Sequence, residues 1–155
     1  MILVAVALAV LLLSLMFRVN AVYVFLGMAA GVVLQAHLSE SFGLAIDAVA
    51  KDLPVILIAD VFLLAAPIIA MLFLMRKTMR HHMVVVQIVP LVAVSLAVPL
   101  VALPVLPEAF QLAVAQDELG AVYVQAADVV ISIAAVLSLV LAWRTYGLRD
   151  LKHHK

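Results

Sequence analysis

Residues 53–77 read LPVILIADVFLLAAPIIAMLFLMRK, an apolar run interrupted by one carboxylate, Asp60, and closed by Arg76 and Lys77. A helix rises about 1.5 Å per residue, and about 20 apolar residues cross the roughly 30 Å hydrocarbon layer of a bilayer, so the stretch reads as a transmembrane helix. The whole chain agrees. Of its 155 residues, 69% are hydrophobic and 12% charged, whereas soluble domains carry roughly half apolar and about a quarter charged residues. This composition points away from a water-soluble globule. The expected fold class is an all-α, polytopic helical membrane protein forming a single integral membrane domain over residues 1–155.

Five spans are expected, at about 2–17, 20–36, 53–75, 83–106 and 119–143. The first two are short and separated only by Arg18, Val19 and Asn20, which predicts a tight helical hairpin; the alternative is one long, tilted helix broken near Asn20. The opening residues lack the basic region and small-residue cleavage site of a secretory signal, so they read as a retained membrane segment. Arg18, then Arg76, Lys77 and Arg80, and finally Arg144, Arg149, Lys152 and Lys155 occupy alternate connections. The other connections are acidic, with Glu40, Asp47 and Asp52 against Lys51 in one, and Glu108, Asp117 and Glu118 in the other. Cations accumulate on the cytoplasmic side. The pattern therefore predicts a multi-pass inner-membrane protein with its N-terminus outside and its C-terminus in the cytoplasm.

The acidic connections carry helical patterning of their own. In HLSESFGLAIDAVAKD (37–52), Leu38, Phe42, Ala45, Ile46 and Val49 follow helical spacing, which predicts a short helix lying in the interface; an ordinary capped loop is the alternative. LPEAFQLAVAQDE (106–118) reads similarly, with Pro107 suited to a first helical turn.

Shifting the chain over itself by 68 residues aligns Glu40 with Glu108, Phe42 with Phe110, Asp60 with Asp128 and Arg76 with Arg144. The tripeptide ADV recurs at 59–61 and 127–129. These matches suggest a parallel internal repeat with units 21–77 and 89–145, related by an axis along the membrane normal. Each acid precedes its arginine by 16 residues, about 24 Å of helix, which predicts the two carboxylates at similar depth.

Charged acids avoid lipid, so Asp60 and Asp128 are expected to face protein or water. Gln125, Asp128 and Ser132 form one polar stripe, and Gln87 with Ser95 adds polar groups to the fourth span. A polar path for a proton, cation or small solute is one reading. Acids hydrogen-bonded for structural reasons, or hydrated near the outer interface, are the other. Pro67, Pro90, Pro99 and Pro104 free backbone carbonyls within spans. Gly27 and Gly31, in GMAAG, offer a small-residue face for close helix packing within the chain or with another copy.

Arg76, Lys77, Arg80 and Arg144 form a juxtamembrane patch suited to anionic lipid headgroups. His81 with His82 and His153 with His154 are adjacent pairs that do not share a helix face, so no metal site is expected. Tyr23, Tyr123, Tyr146 and Trp143 suit the aromatic belts at span ends. Cysteine is absent and formal net charge is zero, so neither a thiolate centre nor a nucleic-acid partner is implied. No hydrolase, metalloprotease, phosphate-loop or dinucleotide motif occurs. No catalytic residue and no cofactor is assigned.

The combination of NAVYVFLGMAAGVVL, IVPLVAVSLAVPLVALPVLP and an apolar final span ending in Trp resembles small multi-span membrane proteins of candidate-phyla bacteria such as Saccharibacteria. The likeness covers most of residues 20–143. It implies a helical membrane fold without an assigned activity, and does not imply that every member carries Asp128. The layout is more distantly similar to colicin V production-type membrane proteins. AADVVISIAAVLSLVL looks like the final helix of lipoprotein signal peptidases, but PVLPEAF stands where that family has its second motif. The leading expectation is a non-enzymatic scaffold or accessory subunit acting through helix packing, with the bilayer and a further membrane subunit or second copy as partners. The alternatives are a small proton or cation channel or transporter using Asp60 and Asp128, and a degenerate intramembrane aspartyl hydrolase.

Overall fold

A computed structural model describes residues 2–47, 55–78 and 84–150. They form α1 (Ile2–Met16), α2 (Ala21–Asp47), α3 (Val55–Leu74), α4 (Val84–Ala102), a 3-10 turn (Leu103–Val105), α5 (Glu108–Gln116), α6 (Glu118–Gln125) and α7 (Ala127–Asp150). No strand occurs among the described residues. Four stretches are long and apolar enough to cross a bilayer: Ala21–Ile46, Ile56–Leu74, Val86–Val105 and Ala127–Arg144. The protein is an all-α polytopic membrane protein. Leu3–Met16 of α1 is apolar but shorter; at 1.5 Å per residue it extends about 21 Å, which crosses only a thinned bilayer.

Residues 2–36 are two helices, joined by a turn whose hydrogen bonds are fully specified. At the end of α1, the Val19 N–H donates to the Ser14 carbonyl at 2.9 Å and the Arg18 N–H to the Leu15 carbonyl at 3.1 Å. This is a Schellman cap, which needs a left-handed residue; Arg18 supplies it at φ 52°, a conformation costing a non-glycine residue roughly 1–2 kcal/mol. Asn20 then opens α2, its Oδ1 accepting the Val22 N–H at 3.1 Å and so satisfying one of the otherwise unpaired first-turn donors. The expected hairpin is corrected in one respect: α1 packs against α4 and not back along α2. The cause lies in the turn, which is tied to the end of α3. The Lys77 N–H donates to the Phe17 carbonyl at 2.8 Å, the Asn20 N–H donates to Thr78 Oγ1 at 3.2 Å, and the Phe17 and Phe73 rings lie 5.3 Å apart.

The segment expected as a separate interfacial helix from Leu38 is helical but continuous with the span, since α2 runs unbroken to Asp47. No proline stands in it. Its 27 residues give a rod of about 40 Å, longer than the hydrocarbon layer, so α2 tilts or projects beyond it. In the second half the break does occur, because Pro104 and Pro107 cannot continue the helical ladder. There α4 ends at Ala102 and α5 starts at Glu108, with Pro107 at its N-cap and not inside the first turn. The span expected at 119–143 is likewise divided, into α6 and α7 at Ala126 (φ −86°, ψ 4°); nothing in the local sequence accounts for that break.

α2 and α3 make the most extensive helix pair, α4 packs on α7 and α1, and α2 also touches α4 and α7. The core joins Val24 and Met28 of α2 with Leu91, Val94 and Ala97 of α4 and Ala134 and Leu141 of α7. α4 is the most enclosed span and α7 the least.

The α2/α3 seam follows a four-residue ladder. Gly27, Gly31, Gln35, Ser39 and Gly43 recur at that interval on α2, the row spacing of helices that approach closely through small residues. A Cβ added at Gly31 would lie 2.6 Å from the Leu64 carbonyl oxygen, one at Gly27 3.0 Å from that of Pro67, and one at Gly43 no nearer than 3.8 Å to Ile56 Cγ1. The GMAAG partner is therefore α3 of the same chain. Substitution by Ala should grade accordingly. Gly31→Ala is expected to lose about 1–3 kcal/mol by overpacking against backbone, Gly27→Ala less, and Gly43→Ala little, as read by reversible unfolding in mixed micelles; equal losses at all three sites would contradict the seam.

Candidate functional site

Asp60 lies on α3 opposite the polar rungs of the ladder. Gln35 Nε2 donates to Asp60 Oδ1 at 3.3 Å, and the Ser39 hydroxyl donates to the same oxygen. All three side chains are half-buried. Phe42 of α2 and Phe62 of α3 also stack, with centroids 5.8 Å apart and planes within 7°. A carboxylate accepting two hydrogen bonds is compensated for leaving water, so the helix pair holds Asp60 as a satisfied group. Gln35 and Ser39 lie outside the polar positions expected within the spans. The signal was the four-residue repetition that continues past Gly31 through Gln35 and Ser39 to Gly43.

Asp128 is placed differently. It is the second residue of α7, in that helix's first turn, where a negative charge complements the positive end of the helix dipole. Gln125, Asp128 and Ser132 are all exposed, so the expected stripe exists on the outer surface and not on a central path. The positions that correspond to Gln35 and Ser39 under the 68-residue shift are Leu103 and Pro107, which bring no side-chain donor. The two acids are thus unequal in their surroundings. They are also carried by helices with different partners, α3 packing chiefly on α2 and α7 on α4 and α2.

Further polar side chains are buried on α4 and α7. Gln87 is 2% exposed, Ser95 1% and Ser138 1%, and Gln87 Oε1, Ser95 Oγ and Ser138 Oγ have no hydrogen-bond partner. Proline adds to this deficit. Pro90 and Pro99 lack the N–H that would reach back four residues, which frees the carbonyls of Val86 and Ser95 beside Gln87 and at Ser95 itself. By contrast the buried Ser14 hydroxyl donates to the Val10 carbonyl at 2.7 Å. Ser138 was missed in the sequence because serine within an apolar helix is ordinarily bonded to its own backbone. Pro67 similarly frees the Leu63 carbonyl on α3.

Of the cationic patch, Arg76, Lys77 and Arg144 are exposed, while Arg80 and the histidine pairs His81, His82, His153 and His154 lie outside the described residues. No group of His, Cys, Asp or Glu able to hold a metal ion occurs among the described residues. Tyr123, expected in an aromatic belt, donates its hydroxyl to the Leu96 carbonyl and so ties α6 to α4.

The seam predicts a contrast between the acids. Asp60→Asn keeps an acceptor at Oδ1 and should unfold near wild type, whereas Asp60→Leu strands the Gln35 and Ser39 donors and should lose about 1–3 kcal/mol. Asp128→Leu removes only a helix-end charge and should change stability by less than about 1 kcal/mol. A loss at Asp128→Leu as large as at Asp60→Leu would contradict this assignment. No family model matches the sequence, and no curated protein or solved structure is significantly similar to it.

Proposed function

We propose that the chain is a non-enzymatic subunit of the inner membrane, a scaffold or accessory component that acts through helix packing. The observation that carries this reading is the use made of the acids. Asp60 is engaged by Gln35 and Ser39 inside a helix seam, and Asp128 is exposed on α7. Acid and base groups that exchange a proton lie within hydrogen-bond reach or one water of each other, and these two belong to helices that are not principal packing partners. The polar groups of the α2/α3 seam are spent on the chain's own packing. What it leaves outward is an apolar face, with Val129, Ile133, Val136 and Val140 exposed along α7. That face meets lipid or another transmembrane helix.

The proposed orientation has the N-terminus outside and the C-terminus in the cytoplasm. It is supported by the bonds between the first and third connections, which bring Arg18, Arg76 and Lys77 to one end of the bundle. Cations that share an end are what the cytoplasmic bias requires.

The unpartnered oxygens of Gln87, Ser95 and Ser138 favour a second reading, a small cation or solute conductor whose path follows α4 and α7 and not the acids. Unsatisfied polar groups in lipid cost several kcal/mol each, and a conducted ion or water would offset part of that cost.

The two readings separate in experiment. Because the chain has no cysteine, single probes are unambiguous. Cysteines at Ile133, Val136 and Val140 should give one discrete crosslinked species in native membranes, and cysteines at the buried Ala134 and Ser138 none; a monomer at every site counts against the subunit reading. Proteoliposomes should pass protons, sodium or potassium no faster than empty vesicles. Flux abolished by Gln87→Leu but kept by Asp60→Asn would establish the conductor instead.

A further inference from the structure

Among the described residues, the non-glycines with positive φ are Arg18 at 52° and Lys77 at 66°, both cationic and both at the junction between the first and third connections. The junction is rigidly specified. The Lys77 N–H is donated to the Phe17 carbonyl at 2.8 Å, so the residue beside Arg18 and the residue carrying the second cation are bonded directly. Asn20 N–H to Thr78 Oγ1 at 3.2 Å and Thr78 Oγ1 to the Met75 carbonyl at 2.7 Å brace the same two turns. Beneath it Val19 and Ala21 are fully buried, and the Phe17 and Phe73 rings, 5.3 Å apart, close the apolar side. Arg18, Arg76 and Lys77 are all exposed above that base.

Glycine meets the steric demand of the left-handed region without strain, and asparagine meets it at small cost. Arginine and lysine do not. A backbone outlier held in place by surrounding bonds points toward function when the side chain it carries has a use elsewhere. Here three exposed cations stand on two turns bonded to each other at the end of the apolar spans, the level at which lipid headgroups lie. Arginine adds planar, two-pronged recognition of phosphate, and lysine a compact charge.

We propose that the junction of residues 17–20 with 75–78 is a binding site for the phosphate of an anionic lipid headgroup, gripped by Arg18 with Arg76 and Lys77. It differs from a diffuse basic surface in having a defined member, Arg18, that the linear charge pattern leaves alone in its connection. The site does not depend on whether the bundle acts as a subunit or a conductor, because it is built from the turn pair alone.

The test uses the full chain in nanodiscs of phosphatidylcholine, with or without phosphatidylglycerol, read by thermal unfolding and by native mass spectrometry of retained lipid. Wild type should unfold at higher temperature with phosphatidylglycerol and retain one such lipid after detergent transfer. Arg18→Gly should unfold in phosphatidylcholine alone at or above the wild-type temperature, since glycine relieves the left-handed residue, yet retain the anionic lipid about fivefold less, the weight of one cation near an anionic surface. Arg76→Gln, at a position without positive φ, should show the same loss of retention and serves if Arg18→Gly does not fold. Retention should also fall as salt is raised, through screening. Wild-type retention by both variants would overturn the proposal, as would equal stabilisation by inorganic phosphate added to phosphatidylcholine discs, which would assign the site to free phosphate.

Discussion

The close approach of α2 to the backbone of α3 is the constraint from which most of the structure follows. Between helices in lipid there is no hydrophobic drive of the kind that folds soluble proteins, so association depends on how nearly the backbones fit. Gly31 sits where any side chain would strike the Leu64 carbonyl, and Gly27 sits over Pro67, a residue that cannot donate its own backbone hydrogen bond. With the two helices this near, short and polar side chains farther along the same row also reach across. Gln35 and Ser39 thereby meet Asp60. The acid is held because the glycines come first.

The second half of the chain has no such seam, and proline explains much of the difference. Where α2 continues through Ala36 and Ser39, the shifted positions hold Pro104 and Pro107, and the helix is replaced by a 3-10 turn followed by α5. The Gly27 and Gly31 positions correspond to Ser95 and Pro99, so the close-packing row is absent from α4 as well. α4 instead becomes the central helix, enclosed by α1, α2 and α7, and its buried polar groups lie beside carbonyls that its prolines have released. Two stretches related by matching Glu, Phe, Asp and Arg thus form different local structures, because the few residues that control backbone approach and continuity are the ones that do not match.

Much of this was legible in the sequence, and the parts that were not have a common cause. Hydropathy and span length identified the all-α membrane fold, whereas the bonding of the Arg18 turn to the Lys77 turn had no signal in the charge pattern, which speaks only to the side of the membrane. Helix continuity through Leu38 was misread because amphipathic spacing reports which side chains face water and says nothing about whether the axis bends. Asp60 and Asp128 looked equivalent because linear offset carries no information on the facing helix. The ladder from Gly27 to Gly43 contained the answer for Asp60, since a row of small and short polar residues at one interval implies a partner backbone along its whole length. For Ser138 and the break at Ala126, no local residue type distinguishes the outcome from an ordinary helical position.

The same physical terms rank the polar groups by what they require of their surroundings. An ionised side chain at the centre of a bilayer costs about 2.5–3.5 kcal/mol on insertion scales, and a neutral group left without a partner there also costs several kcal/mol. Asp60 meets the first cost with two donors from α2. Asp128 lowers it by position, in the first turn of its helix at the edge of the apolar window that begins at Ala127. Gln87, Ser95 and Ser138 have neither remedy, being nearly inaccessible and without partners. The burial of the Gln87, Ser95 and Ser138 oxygens on α4 and α7 is therefore less compensated than that of either carboxylate.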